Sequence, residues 1–373
     1  MPELHGPAVD PSLTIAGMLE DLRLLVEAES PSDNLESLDH CATVMSAMGE
    51  RHLGAPPLRS SVDGRPLLQW RIGDGRPGVL LVGHLDTVWP VGTLAERPFA
   101  AKEGVAYGPG VFDMKAGLVI ALWALRSLEG RCNATLLINA DEELGSPGSS
   151  SLIRQAAKDS VAALVLEPSH HGRLKTRRWG RTEYEFRITG RTAHAGLAAS
   201  EGANAVSELG RVIQQVNQFS QADVSVVPTM CGSGIAANVI PAFATLTVDV
   251  RYRDQDANAL IDKRMREVAP SSESFKIKVD TGHASPPLEH QMSSGLFDFA
   301  QDVAHDLRLG PLEEAEVGGG SDGNTCASVG CVTLDGLGAV GDGAHAETEY
   351  VELRSLPERS ALVAGLVRRL SSR

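Results

Sequence analysis

Apolar runs alternate with amphipathic segments over the first half of the chain. Strand-like runs cover residues 67–72, 78–83, 135–140 and 162–166. Apolar residues at helical spacing cover residues 12–29, 35–48, 117–128 and 149–157. Ser12 is the expected N-cap of the first helix. Strands that alternate with helices predict an α/β sandwich around a largely parallel central sheet.

The order of elements changes near Arg178. From there the pattern predicts strand, helix, strand, strand, helix and strand, at residues 181–190, 203–219, 222–231, 237–252, 255–268 and 274–280. This order is typical of a ferredoxin-like four-stranded sheet with helices on one face. The first pattern resumes with a helix at 293–307, a strand at 331–335 and a helix at 356–370. We therefore predict an inserted domain, 178–288, between the two parts of a main domain, 1–177 and 289–373.

The composition is that of a soluble globular protein, with 42% hydrophobic and 22% charged residues. The net charge of -14 argues against nucleic acid or membrane as a partner, because both select for basic patches. Five scattered cysteines favour a reducing compartment over a disulfide framework. Residues 1–15 show no signal-peptide pattern and no stretch reaches membrane-span length, so we expect a cytoplasmic protein.

Acids and imidazoles lie in five short segments that are far apart in the sequence, and most of these segments follow an apolar run. The residues are His84 and Asp86, Asp113, Glu142 and Glu143, Glu167, and His345. Because α/β sheets present their chemistry at strand ends, we expect these side chains to meet in one site. Two histidines and three acids suit zinc as ligands, with Co²⁺ or Mn²⁺ as alternatives.

Each of these residues has a simpler explanation when it is taken alone. His84 would be an ordinary core or loop histidine, and Asp113 a helix cap. Two adjacent acids, Glu142 and Glu143, would be a solvated strand end. Taken together they favour metal binding, in which one glutamate is a ligand and the other stays free to carry a proton. Asp86 would then fix the tautomer of His84.

Two other classes of protein are alternatives to a metal-dependent hydrolase. A nucleotide-dependent α/β enzyme is disfavoured, because Asp113 stands where a phosphate loop that begins at Gly108 would need its third glycine. A non-catalytic binding protein on the same fold would be expected to lack a metal ligand or the proton carrier. Neither is missing from the sequence.

Together the motifs resemble the M20 metallopeptidase family, which includes glutamate carboxypeptidase, acetylornithine deacetylase, succinyl-diaminopimelate desuccinylase and aminoacylase. The resemblance rests on residues 81–88, 108–117, 141–149 and 167–168 and extends from about residue 22 to the C-terminus. It is strongest to the bacterial glutamate carboxypeptidase (carboxypeptidase G) branch. It implies a zinc-exopeptidase-like α/β sandwich as catalytic domain, an inserted ferredoxin-like lid domain, and a homodimer formed through the lid.

The resemblance also implies a role for each motif residue. Two zinc ions would be held by two ligand pairs and a bridging acid: His84 with Glu167, Glu143 with His345, and Asp113 between them. Asp86 would orient His84, and Glu142 would be the general base. A cis peptide bond is implied between Asp113 and Met114.

In the inserted domain, residues 190–196, 237–241 and 248–252 resemble the family's lid. By this resemblance His194 reaches the reacting carbonyl oxygen across a dimer, while Asn238 and Arg251 contact the substrate carboxylate. Without it, His194 would be a turn residue and Arg251 a strand-end charge. Gly319 and Gly320 lie in a segment similar to the family's glycine-rich substrate loop.

The expected activity is hydrolysis of an amide bond next to a free α-carboxylate, since a guanidinium such as that of Arg251 can clamp a carboxylate. The resemblance favours a glutamate-type carboxypeptidase acting on small peptides or N-acyl conjugates. An N-acyl amino acid deacylase is the alternative.

Overall fold

The computed structural model describes residues 12–74 and 78–371. The helices are α1 (Ile15–Glu27), α2 (Leu35–Leu53), α3 (Thr93–Glu96), α4 (Ala116–Ser127), α5 (Ser150–Lys158), α6 (Ala205–Asn217), α7 (Gln255–Arg266), α8 (Ser294–Leu307), α9 (Asp322–Ala327) and α10 (Ser355–Leu370). None of the described helices is both long and apolar enough to cross a membrane. Most of the N-terminal segment on which the signal-peptide argument rests, residues 1–11, lies outside the described residues.

The strands are β1 (Leu58–Val62), β2 (Arg65–Ile72), β3 (Val79–His84), β4 (Ala100–Lys102), β5 (Val105–Tyr107), β6 (Ala134–Asn139), β7 (Ala162–Val165), β8 (Leu174–Arg178), β9 (Gly180–Thr189), β10 (Ala193–His194), β11 (Val224–Ser233), β12 (Val239–Ile240), β13 (Phe243–Tyr252), β14 (Lys276–Ser285), β15 (Glu314–Val317), β16 (Thr333–Leu334), β17 (Gly341–Asp342) and β18 (Tyr350–Glu352).

The chain folds into two compact units. The second unit comprises Arg178–Glu289 and Gly318–Gly320, and the first unit holds the other described residues. The predicted insert covers residues 178–288 and places the three glycines in the main domain. They belong to the second unit because its guanidinium groups hold their carbonyl oxygens. Arg178 Nη1 donates to the carbonyl oxygens of Gly319 and Gly320, at 3.0 Å each.

The central sheet of the first unit has six strands in the order β1-β2-β6-β3-β7-β16. The pairings β6–β3, β3–β7 and β7–β16 are parallel, whereas β1–β2 and β2–β6 are antiparallel. The expectation of a largely parallel sheet therefore holds for only one side of it. On the other side, β1 is antiparallel to β2 because a tight turn at Asp63 and Gly64, both with positive φ, joins the two strands as a hairpin.

Both faces of this sheet are covered, as expected for an α/β sandwich. Leu81 of β3 packs into a core shared with α1, α2, α4, α8 and α10. Its neighbours Leu80 and Val82 point to the opposite face and pack with residues of α5 and α9. This burial on both sides explains why β3 is apolar throughout.

Several predicted boundaries are wrong by a few residues. Helix α1 begins at Ile15 because the side chain of Thr14, rather than Ser12, accepts the backbone N–H of Gly17. Helix α2 continues past residue 48 to Leu53 and is capped by Gly54, which adopts the left-handed conformation that glycine tolerates.

The second unit has the predicted ferredoxin-like order of strands and helices. Its antiparallel sheet runs β11-β13-β9-β14, and α6 and α7 share one buried core with it. The predicted strand 237–252 is broken at Pro241, where the missing N–H interrupts pairing. Its first part, β12, pairs with β10, and its second part, β13, lies inside the main sheet of the unit. The predicted α/β fold with an inserted ferredoxin-like unit is confirmed.

Candidate metal centre

The predicted metal ligands and the predicted general base, Glu142, come from the first unit, and three strands present most of them. His84 is the last residue of β3, Glu142 and Glu143 follow β6, and Glu167 follows β7. These strands are adjacent and parallel, so their carboxyl ends share one edge of the sheet. The remaining two predicted ligands, Asp113 and His345, lie in the β5–α4 and β17–β18 connections.

The side chains of Asp113 and the two histidines form the middle of the site. Nε2 of His84 lies 3.4 Å from Oδ1 of Asp113. Nε2 of His345 lies 3.4 Å from Oδ2 of the same carboxylate. Asp113 therefore offers one oxygen to each histidine, which is the arrangement a bridging ligand requires. The peptide bond between Asp113 and Met114 is cis, as the resemblance implies.

Each histidine has a second acidic neighbour. Nε2 of His84 lies 3.5 Å from Oε1 of Glu167, and Nε2 of His345 lies 3.1 Å from Oε1 of Glu143. Nitrogen and oxygen ligands of a tetrahedral zinc, each 2.0–2.2 Å from the ion, lie about 3.3–3.6 Å apart. The separations around both histidines are close to this value.

Unpartnered buried atoms support the same arrangement. Among the described residues, Nε2 of His84 and Oδ1 of Asp113 are buried and have no hydrogen-bond partner. Leaving such groups unsatisfied costs about 1–3 kcal/mol each. A cation between the two atoms would satisfy both, so the residues present fit a bound metal ion.

Asp86 holds the other side of the His84 ring. Nδ1 of His84 lies 3.0 Å from the backbone carbonyl oxygen of Asp86 and 3.4 Å from its carboxylate. A proton on Nδ1 is therefore shared with acceptors of Asp86, which leaves Nε2 as the ligand atom. The buried Asp86 carboxylate also accepts the backbone N–H groups of Glu142, at 3.3 Å, and Glu143, at 3.2 Å.

The two histidines and Asp113 form a strongly coupled set of charges. Burial lowers the pKa of His84, but the surrounding carboxylates, Asp113 first, outweigh burial and hold that pKa well above its usual value. Asp113 and Glu143 raise the pKa of His345 to about 10. Burial raises the pKa of Asp113, yet the two histidines outweigh it and hold that pKa well below its usual range.

The adjacent glutamates have different surroundings. Burial and the nearby carboxylate of Glu167 raise the pKa of Glu142 well above its usual value. Burial also raises the pKa of Glu143, although its hydrogen bond with His345 opposes the shift. Geometry allows Glu142 itself to join His84 and Glu167 as a ligand. However, Glu142 lies 3.9 Å from the His84 nitrogen, farther than Glu167.

The other predicted site residues belong to the second unit. The backbone N–H of Ala195 donates to the carbonyl oxygen of Asn238 at 2.9 Å, so His194 and Asn238 lie on neighbouring segments. Nδ1 of His194 accepts the backbone N–H groups of Gly196 at 3.1 Å and Leu197 at 3.2 Å. A neutral ring held in this way carries its proton on Nε2 and can donate it.

Arg251 already has partners within the second unit. Its Nε donates to Asp249 at 3.1 Å, and its Nη1 donates to the carbonyl oxygen of Gly318 at 2.8 Å. Arg178 donates to the carbonyl oxygens of Gly319 and Gly320. All three glycines of the predicted substrate loop are thus held by arginines of the second unit. Arg178 was not predicted as a functional residue, because nothing in the sequence distinguishes it from its basic neighbour Arg177.

Two acids of the first unit were also missed. Glu349 is buried and accepts the backbone N–H of Asp113 at 3.0 Å. Asp322 lies buried beside the turn that follows Glu143, where it accepts Ser146 Oγ at 2.5 Å and Asn139 Nδ2 at 2.7 Å. Burial raises the pKa of Asp322 to about 7. The only sequence signal for Glu349 is its position four residues after His345.

Comparison with known proteins identifies the family. The model of peptidase family M20/M25/M40 matches residues 80–369. Carboxypeptidase G2 of Pseudomonas sp. (strain RS-16) is 31% identical over 370 residues, covering 94% of this chain and 88% of that protein. Succinyl-diaminopimelate desuccinylase of Corynebacterium glutamicum is 28% identical over 59% of this chain and 64% of that protein.

The fold is also that of a solved structure. The YXEP protein of Bacillus subtilis, described as a dinuclear metal binding peptidase from the M20 family, matches with a TM-score of 0.69. The match covers 96% of this chain and 98% of that one, at 15% identity. The resemblance seen in the motifs is thereby confirmed: the chain is a hydrolytic enzyme that belongs to peptidase family M20/M25/M40.

Proposed function

We propose that the enzyme hydrolyses an amide bond next to a free α-carboxylate and that it uses two zinc ions bound in the first unit. The observation that carries the proposal is the position of Asp113 between His84 and His345, with one oxygen 3.4 Å from each ring. His84 and Glu167 would hold one ion, Glu143 and His345 would hold the other, and Asp113 would be shared by both.

Two such cations, when bound, would lower the pKa of a water molecule and stabilise negative charge on the substrate carbonyl. Glu142 takes up the proton of the attacking water and returns it to the leaving nitrogen. A proton carrier works best when its pKa is near the working pH, and the surroundings of Glu142 shift its pKa in that direction. Glu143, in contact with His345, is the ligand of the pair.

His194 donates its Nε2–H to the carbonyl oxygen as that oxygen becomes negative. The backbone N–H groups at Nδ1 favour the tautomer that this role needs. By resemblance to the family, His194 acts on the site of a second copy in a homodimer. Support for such a dimer comes from β11, an edge strand of the second unit with exposed Val227 and Met230.

The substrate α-carboxylate is bound by Arg251 and Asn238, with backbone groups of Gly319 and Gly320 beside it. Similarity to carboxypeptidase G2 over 94% of the chain favours a glutamate-type carboxypeptidase. Similarity to a desuccinylase favours the second candidate, an N-acyl amino acid deacylase. A cytoplasmic location is part of the proposal, and the five free cysteines are in keeping with it.

A hydrolysis screen tests the proposal. Dipeptides and N-acyl amino acids that end in Glu, Orn, Leu or an aromatic residue are compared with added Zn²⁺, with chelator, and after Zn²⁺ is restored. We expect chelator to abolish activity, zinc to restore it, and C-terminal glutamate to be released fastest. Full activity after chelation would reject the two-metal mechanism. Fastest turnover of N-acyl ornithine would select the deacylase instead.

A further inference from the structure

Glu349 is a buried carboxylate, only 2% exposed, that accepts four hydrogen bonds. Its Oε1 accepts the backbone N–H groups of Phe112 at 2.8 Å and Asp113 at 3.0 Å. Its Oε2 accepts the backbone N–H of Gly110 and the indole N–H of Trp89, at 2.9 Å each. Both oxygens therefore have two donors, and three of the four come from the loop that carries the bridging acid.

The only helical structure in this loop is one irregular π-helical turn, Val111–Lys115. Gly110 is in the left-handed region, with φ of 71°, and Asp113 and Met114 have non-helical backbone angles just before α4 begins. N–H groups ahead of a helix lack partners within the helix and must find acceptors elsewhere. The carboxylate of Glu349 provides them, so it fixes the backbone from which Asp113 projects.

Glu349 is also tied to the second histidine through the chain. The backbone N–H of Ala346 donates to Gly343 at 2.8 Å, and that of Glu349 donates to Ala346 at 3.1 Å. These two turns make a compact connection between His345 and Glu349. A shift of the Glu349 side chain would therefore disturb Asp113 directly and His345 through the connection.

We propose that Glu349 is a positioning residue that holds Asp113 and His345 at the separation needed to share a metal ion. This inference rests on the proposed two-metal function. The variant E349Q keeps the shape of the side chain but replaces one acceptor oxygen with an NH₂ group that faces two donors. Loss of a group that orients metal ligands lowers metal affinity or activity by about 10- to 100-fold, and we expect an effect in this range.

Asp21 offers a matched control. It is 3% exposed and accepts the indole N–H of Trp123 at 2.7 Å, much as Glu349 accepts that of Trp89. Its other partners are Arg51 and His52 of α2, which are not part of the metal site. The variant D21N therefore removes a comparable buried acceptor without touching a metal ligand. Both variants should unfold at lower urea concentration, but only E349Q should bind metal more weakly.

The test measures Zn²⁺ affinity by competition with a chromophoric chelator, the visible spectrum of the Co²⁺-substituted protein, and urea unfolding of the metal-free protein. We expect E349Q to lose affinity for at least one ion and to alter the Co²⁺ spectrum, while D21N matches the wild type in both. E349D keeps two acceptor oxygens and should recover part of the lost affinity. If E349Q does not fold, the zinc affinity and Co²⁺ spectrum of E349D test the role of Glu349 instead.

The outcomes separate the two proposals. Wild-type affinity and an unchanged Co²⁺ spectrum in E349Q, or in E349D where E349Q does not fold, would overturn the role of Glu349 and leave the two-metal function standing. If D21N weakens zinc binding as much as E349Q does, the effect reflects a general loss of stability, and the positioning role of Glu349 is overturned as well. A wild-type protein that binds neither ion would overturn the proposed function and, with it, this inference.

Discussion

The backbone N–H of Glu143 donates to Oδ2 of Asp86 at 3.2 Å. The same carboxylate lies 3.4 Å from Nδ1 of His84 and accepts the hydroxyl of Ser32 at 2.8 Å. One fully buried acid thus orients the histidine at the end of β3 and the acidic turn after β6. Two proposed metal ligands that are distant in sequence depend on it.

Replacing Asp86 by asparagine should loosen both ligands at once. In D86N an NH₂ group replaces either Oδ2, which accepts the N–H of Glu143, or Oδ1, which accepts the N–H of Glu142. In either orientation one backbone N–H of the acidic turn faces a donor instead of an acceptor. We expect zinc affinity or kcat/KM to fall by about 10- to 100-fold. The control S32A removes one donor and leaves the backbone contacts. Zinc competition and initial rates on both variants make the comparison, and unaltered values in D86N would refute an orienting role.

The adjacent pair Glu142 and Glu143 allows a sharp test of the division of labour. E142Q removes the proposed proton carrier and should lower kcat by about 10²- to 10⁴-fold with both zinc ions still bound. E143Q removes a proposed ligand and should lower the zinc content itself. Metal analysis of both purified proteins, together with kcat, separates the roles. If E142Q loses zinc instead, Glu142 is a ligand, which the geometry of His84, Glu142 and Glu167 also allows.

Metal affinity should rise steeply with pH. In the metal-free protein the pKa of His345 is about 10 and that of His84 is also raised, so both rings are protonated near neutrality. Each must lose its proton to bind a metal ion, so binding releases protons and weakens as the pH falls. Calorimetry in buffers of different ionisation enthalpy measures the release. Zinc binding with no proton release between pH 7 and 8 would contradict the protonated histidines.

The stability of the metal-free protein should fall as the pH rises, in contrast to its metal affinity. A histidine whose folded pKa is raised stabilises the fold below its unfolded pKa, about 6.5, and this contribution is lost as the pH rises through the folded value. For His345 the loss should be complete only above about pH 10. Urea unfolding of the chelated protein across this range gives the test, and H345N, which lacks the titrating group, is the control.

The parts of the site that sequence alone predicts are those attached to buried strands. Strands β3, β6 and β7 are apolar because each is buried in the sheet, and the acids that follow them mark the site edge. Strand β1 was missed because its residues are exposed and pair only through a hairpin. Glu349 was not predicted because its role depends on a hydrogen bond with Asp113, which lies 236 residues away in the sequence. His194 and Arg251 were candidates only through the family resemblance.

Arg251 and Arg181 form a matched pair for testing substrate recognition. They pair across β13 and β9, and both guanidinium groups contact Asp249. If Arg251 binds the substrate α-carboxylate, R251A should raise KM by about 10- to 100-fold, the range expected for a lost charged hydrogen bond. An amidated substrate, which lacks the carboxylate, should show no such penalty. R181A should leave KM for both substrates near that of the wild type, and equal effects of the two variants would argue against recognition by Arg251.

Gly117 should link the stability of the fold to the metal site. It lies near the start of α4, and a Cβ added there would be 2.0 Å from the carbonyl oxygen of Leu166, the residue before Glu167. Backbone atoms cannot give way as a flexible side chain can, so G117A must push the helix and the strand end apart. We expect a loss of about 1–3 kcal/mol in the free energy of unfolding. Zinc affinity should fall in parallel because Glu167 moves with Leu166.

Gly210 is the control for this change, because it lies inside α6 and a Cβ added there meets nothing within 4 Å. G210A should raise the free energy of unfolding by about 0.5–1 kcal/mol, as expected when alanine replaces glycine within a helix. It should leave zinc affinity unchanged, since the helix belongs to the second unit. Urea unfolding and zinc competition measure the stability and the zinc affinity of G117A and G210A. A G117A protein as stable as the wild type would mean that α4 and the end of β7 can separate without cost.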